Sequence, residues 1–128
     1  MKKKINTTRK GNVNQRRFKQ YMAHIGYQME VVRNTKHDHS DYWGIADLVG
    51  FKLGEDNHWC VVQVKSNQSG SAIKKMKETM FPDGTLKIVA VRLDGKGGQP
   101  VIWRIITINP DGSTSIRKRK ESTMNITE

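Results

Sequence analysis

One part of the chain brings together residue types suited to phosphate chemistry. Asp47 stands in Asp41-Tyr42-Trp43-Gly44-Ile45-Ala46-Asp47-Leu48-Val49-Gly50, and Gln63 and Lys65 stand in Val61-Val62-Gln63-Val64-Lys65. Read as paired strands, the two runs place Gln63 and Lys65 on one face and Val62 and Val64 on the other. A polar pair on an otherwise apolar strand is costly unless it is partnered or functional. The Asp47 carboxylate, the Gln63 amide oxygen and the Val64 backbone carbonyl are hard oxygen ligands suited to Mg²⁺. An ion held by them would bind a phosphate oxygen and acidify a water. Lys65 would orient that water or offset charge on the phosphorane, a task for a single point charge. The chemistry is metal-assisted hydrolysis of a phosphodiester. Plain structural roles stand beside it: Asp47 starting a strand, Gln63 facing solvent, Lys65 reaching water from a strand end.

The neighbouring loop adds further residues. Asp41 precedes the Trp43-Gly44 turn and reads equally as a further metal ligand and as a cap of that turn. His37, Asp38 and His39 are adjacent and cannot all converge on one ion, and no spacing in the chain resembles a zinc motif. His39 alone is placed to reach a phosphate. Trp43, Trp59 and Trp103 read as packing residues, with stacking on a splayed base the alternative for Trp43. Cys60 is the single cysteine and lies in an apolar run, so it reads as a buried thiol outside any disulfide framework.

Apolar periodicity gives the helices and strands that carry these residues. A helix is expected from about Val13 to Ile25, capped by Asn12, with Val13, Phe18, Tyr21, Met22 and Ile25 on its inner face and Arg16, Arg17, Lys19 and Gln20 off it. Gly26 is placed to end it in the left-handed conformation. Strands are expected over Tyr27 to Arg33, Ile45 to Lys52 and His58 to Lys65, the last two forming a hairpin with its turn near Gly54. A short helix from Ser71 or Ala72 to Thr79 follows, then strands over Leu86 to Leu93 and Pro100 to Ile108. The order is α-β-β-β-α-β-β, an α/β domain whose sheet needs a helix on at least one face. Residues 1–12 read as a basic flexible arm, 13–110 as the domain, and 111–128 as a basic C-terminal tail.

Charge narrows the partner. Lys and Arg total 23 against 12 Asp and Glu, a formal net charge of +11. Such a surface attracts polyanions by releasing their counterions, and nucleic acid is the leading partner. Arg16, Arg17 and Lys19, then Lys74, Lys75 and Lys77, and finally Arg117-Lys118-Arg119-Lys120 are the expected phosphate contacts. Composition does not separate DNA from RNA. No stretch is long and apolar enough to span a membrane, and no apolar segment follows Met1-Lys2-Lys3-Lys4 as a signal peptide requires, so an intracellular location is expected.

Asp47 followed by Gln63-Val64-Lys65, in this order of elements, resembles the PD-(D/E)xK nucleases, and among them the small Holliday-junction-resolvase-like branch. The likeness runs from about residue 10 to residue 93. It implies a restriction-endonuclease-like core, with a mixed sheet flanked by helices. It also implies a Mg²⁺-dependent DNA endonuclease, with Mn²⁺ able to substitute, structure-selective in the manner of a resolvase on branched or single-stranded DNA, and working as a symmetric dimer. Two departures stand out. Gln63 takes the place of the motif's acid, and Gln15 stands where the family often has an acidic residue on the first helix. Both remove negative charge, so metal affinity should fall, with Asp41 a possible compensation. A module that keeps the fold, has lost catalysis and binds nucleic acid is the rival expectation.

Overall fold

A computed structural model of the 128-residue chain describes residues 7–32, 46–52 and 58–126, with side chains from residue 11 onward. The elements are α1 (Thr7–His24), β1 (Tyr27–Val31), β2 (Leu48–Lys52), β3 (Trp59–Ser66), α2 (Ala72–Glu78), β4 (Leu86–Leu93), β5 (Ile102–Ile108) and β6 (Thr114–Lys120), closed by a 3₁₀ turn over Glu121–Thr123. The strands form one six-stranded mixed sheet in chain order. Only β3 and β4 run parallel, because α2 carries the chain from one end of the sheet back to the other between them.

Each helix covers one face. Phe18, Tyr21 and Met22 of α1 pack on Met29, Leu48, Cys60, Val62, Ile88, Ala90, Trp103 and Ile105, with Met124 completing that core. Ala72 and Met76 of α2 pack on Val61, Val89, Val91, Ile106 and Ile108. The alternation along β3 therefore sends Cys60 and Val62 to the α1 face and Val61 to the α2 face. β1 and β2 approach closely at Gly50, where a Cβ would lie 2.0 Å from the Gln28 carbonyl oxygen. Gly26 has φ +103° and ends α1 as expected.

The α/β class and the elements expected between Tyr27 and Ile108 are present, with four differences. First, α1 begins at Thr7 rather than Val13, so Asn12 lies inside the helix instead of capping it. Nothing from 7 to 12 breaks a helix outright. Gly11 costs about 1 kcal/mol relative to alanine, which the buried turns downstream offset. Second, β2 begins at Leu48, with Asp47 in a bend before it. Third, Ile25 of the expected inner face is 40% exposed. Fourth, the chain does not end its pattern at residue 110. β6 pairs antiparallel with β5 from Ile102↔Lys120 to Ile108↔Thr114. An edge strand keeps most side chains in water, so it needs no apolar alternation, and its backbone bonds hold it. The turn into it is set by Asn109 N–H to Ser113 O at 2.8 Å and by Asp111, whose carboxylate accepts the Ser113 N–H at 2.9 Å. Among the described residues, no helix is long and apolar enough to cross a membrane.

Candidate active site between β2 and β3

β2 and β3 pair as far as Leu48↔Val62. Beyond that point Asp47 holds the two strands together. Its N–H donates to Val62 O at 2.8 Å, and its carbonyl accepts from Val32 N–H at 2.8 Å, which ties it to the chain on both sides. Its carboxylate Oδ2 then accepts the N–H of Val64 at 2.8 Å. A side chain thus takes the place of a ladder bond and sets the carboxylate against the residue between Gln63 and Lys65.

Gln63 lies opposite Val89 and Lys65 opposite Val91 in the β3–β4 register. Val89 and Val91 belong to the core under α2, so Gln63 and Lys65 share the α2 face, as their spacing requires. Both are half-buried. The Gln63 Oε1 is buried and accepts no hydrogen bond among the described residues. A buried acceptor left this way costs about 1–3 kcal/mol, so this amide is held against stability.

Gln15, expected at the site, is half-buried on α1. Its neighbour Asn14 instead bonds to the end of β3. It is 1% exposed, donates from Nδ2 to Ser66 Oγ at 3.1 Å and accepts from Arg17 Nη1 at 2.9 Å. The sequence reading missed it. Its phase marks it: 14, 18, 21 and 22 form one buried helical stripe, while Val13 of the expected inner face is half-buried at the edge of that stripe.

Glu121, in the segment expected as a basic C-terminal tail, anchors a polar network behind the site. Arg92 donates to it twice, Nε to Oε1 at 2.9 Å and Nη2 to Oε2 at 3.1 Å. Trp103 Nε1 donates to Oε1 at 3.1 Å, and Arg17 Nε lies 4.0 Å from it. The bond from Arg92 leads in holding the Glu121 carboxyl below its ordinary range, against the opposing effect of burial. Arg92 also donates to Asp94 at 3.0 Å, and Asp94 exchanges bonds with Asn67 at 3.1 and 3.0 Å. Ser66, Asn14, Arg17, Glu121, Arg92, Asp94 and Asn67 therefore form a chain of contacts around the end of β3, just after Lys65.

Cys60 is fully buried, and burial pushes its thiol up to about 12, which removes it from chemistry. Asp41, Trp43 and the run His37 to His39 lie outside the described residues. Among the described residues, no group of three or more His, Cys, Asp and Glu comes together. The donor set at β2–β3 is a carboxylate with amide and carbonyl oxygens. Compared with family models, curated proteins and solved structures, the chain matches none.

Proposed function

We propose that the protein is a divalent-metal-dependent DNA endonuclease of PD-(D/E)xK type, with Asp47, Gln63 and Lys65 as its working residues. The observations that carry the reading are the Asp47 carboxylate, which accepts at 2.8 Å from the backbone N–H between Gln63 and Lys65, and the buried Gln63 Oε1, which has no donor among the described residues. A buried acceptor without a donor, on the strand to which a carboxylate is bonded, is what a hard cation would satisfy. Asp47, Gln63 and the Val64 carbonyl, which leaves the strand on the same side as its N–H, would hold Mg²⁺. The ion would supply Lewis acidity toward a phosphate oxygen and a water. Lys65 donates to the attacking water or to a non-bridging phosphate oxygen and offsets the charge that develops there. Asp47 keeps β2 and β3 in register at that point, and Asn14 and the Glu121 network hold the strand end that carries Lys65. The net charge of +11 supports a polyanionic substrate.

A second reading, a nucleic-acid-binding module without catalysis, is favoured by one observation. Gln63 stands for the motif's acid, and neither Gln15 nor Asn14 supplies one from α1. A labelled panel of duplex, single-stranded, flap and four-way-junction DNA, with Mg²⁺, Mn²⁺ and EDTA arms, separates the two. Cutting that needs metal and is lost in Asp47→Ala and Lys65→Ala supports the nuclease. Binding without cutting in either metal overturns it in favour of the module.

A further inference from the structure

We propose that the α2-side face of β5 and β6 is a track for the phosphate backbone of DNA leading to Lys65, with Arg104 and Lys118 as its contacts and Lys120 at its margin. This rests on the reading of nucleic acid as the partner of the Asp47–Lys65 site.

The register builds the track. Lys65 lies opposite Val91, Val91 opposite Arg104, and Arg104 opposite Lys118. The four positions form one row across β3, β4, β5 and β6, and residues directly opposite share a face. Strands are spaced about 4.8 Å apart, so Arg104 lies about 10 Å from Lys65 along the row and Lys118 about 5 Å further on. Lys120 points to the same face as Lys118, two residues along β6.

The same alternation sorts the other cations of these strands. Arg92 faces α1, where Glu121 and Asp94 hold it. Arg119 also faces α1, donating to Tyr21 Oη at 3.4 Å and to the Thr123 carbonyl at 3.3 Å. Lys87 is on the α2 face but donates to the Met76 and Thr79 carbonyls at the end of α2, both at 3.3 Å. Lys65, Arg104 and Lys118 have no ion-pair or hydrogen-bond partner among the described residues. The Nε of Arg104 is a buried donor left without an acceptor.

Nothing on these strands neutralises the row, because β3, β4, β5 and β6 contain no Asp or Glu. The face is open beyond the core that α2 covers. Ile116, opposite Ile106 on the same face, is 53% exposed. A row of unpaired cations with no acid among them fits a run of phosphates, and it begins at the lysine assigned to the reacting phosphate. The basic run at 117–120 is therefore two surfaces. Lys118 and Lys120 face the site, and Arg117 and Arg119 face away.

The test is binding of a labelled DNA duplex by fluorescence anisotropy, in EDTA, across a salt series. Lys118→Ala and Arg104→Gln are each expected to weaken binding and to lower the slope of log K against log salt by about 1. Arg117→Ala, one residue away with the same charge, should leave the slope close to wild type. Arg104→Lys should bind nearly as wild type, which guards against a folding defect in Arg104→Gln. Equal losses in Lys118→Ala and Arg117→Ala would mean general attraction and overturn the track. Loss of binding to phosphatidylserine vesicles in Lys118→Ala, with DNA binding intact, would overturn it too. The assay needs no cleavage. A chain that never cuts but shows the asymmetry keeps the track and loses the nuclease reading. A chain that cuts through Asp47 without the asymmetry does the reverse.

Discussion

The carboxylate of Asp47 accepts the N–H of Val64 at 2.8 Å, so a side chain closes the gap where the β2–β3 ladder stops. Beside this bridging role, the proposed reading gives the residue a second one as a metal ligand, and substitution can separate the two. Asp47→Asn keeps an acceptor for Val64 and removes the charge. Asp47→Ala removes both and leaves a backbone donor unpaired, at about 1–3 kcal/mol. Urea unfolding should show Asp47→Ala destabilised by that amount and Asp47→Asn by less than half of it. Metal-dependent cleavage should be lost in both. Equal stability loss in the two variants would remove the bridging role.

On the proposed reading, the Gln63 Oε1, without a donor among the described residues, sets function against stability. Gln63→Met, of similar shape and without the amide, should raise unfolding stability by about 1 kcal/mol and abolish cleavage. Gln63→Glu should do the opposite: a second carboxylate beside Asp47 lowers stability in EDTA and strengthens Mg²⁺ binding at least several-fold by titration calorimetry. Unchanged Mg²⁺ affinity in Gln63→Glu would argue that residue 63 is not a ligand.

Glu121 gives the fold an acid-sensitive clasp. Its carboxyl is held below the ordinary range, chiefly by Arg92, so the folded state binds its proton less readily than the unfolded chain. The stability it contributes is complete above the unfolded value, about 4.3, and is lost as pH falls through the lower folded value. Glu121→Gln should be less stable near neutrality by about 2 kcal/mol, the scale of bonds to charged groups. Its difference from wild type should shrink as pH drops below 4. A difference that stays constant with pH would show that the loss is one of packing.

Cys60 is buried under α1 with its thiol raised to about 12. Alkylation with iodoacetamide at neutral pH should be negligible in the native state and complete in denaturant. Rapid labelling of the folded protein would mean that α1 lifts from the sheet.

Much of the local structure is legible in the residue order. Alternation along Val61 to Lys65 gave Gln63 and Lys65 a common face. The apolar runs marked β3, β4 and β5. These follow from local periodicity, which the backbone geometry of a strand or helix converts directly into faces. Tertiary structure decided the rest. Asn14 rather than Gln15 bonds to the end of β3, because the packing of Phe18, Tyr21 and Met22 fixes the rotation of α1, and a one-residue change of phase swings a side chain by about 100°. Residues 114–120 became a strand because the exposed edge of β5 offered unpaired backbone groups, a cause invisible in a run of charged residues. That pairing also decided that Lys118, and not Arg117, shares a face with Lys65, since the register between strands far apart in sequence is set only when the sheet assembles.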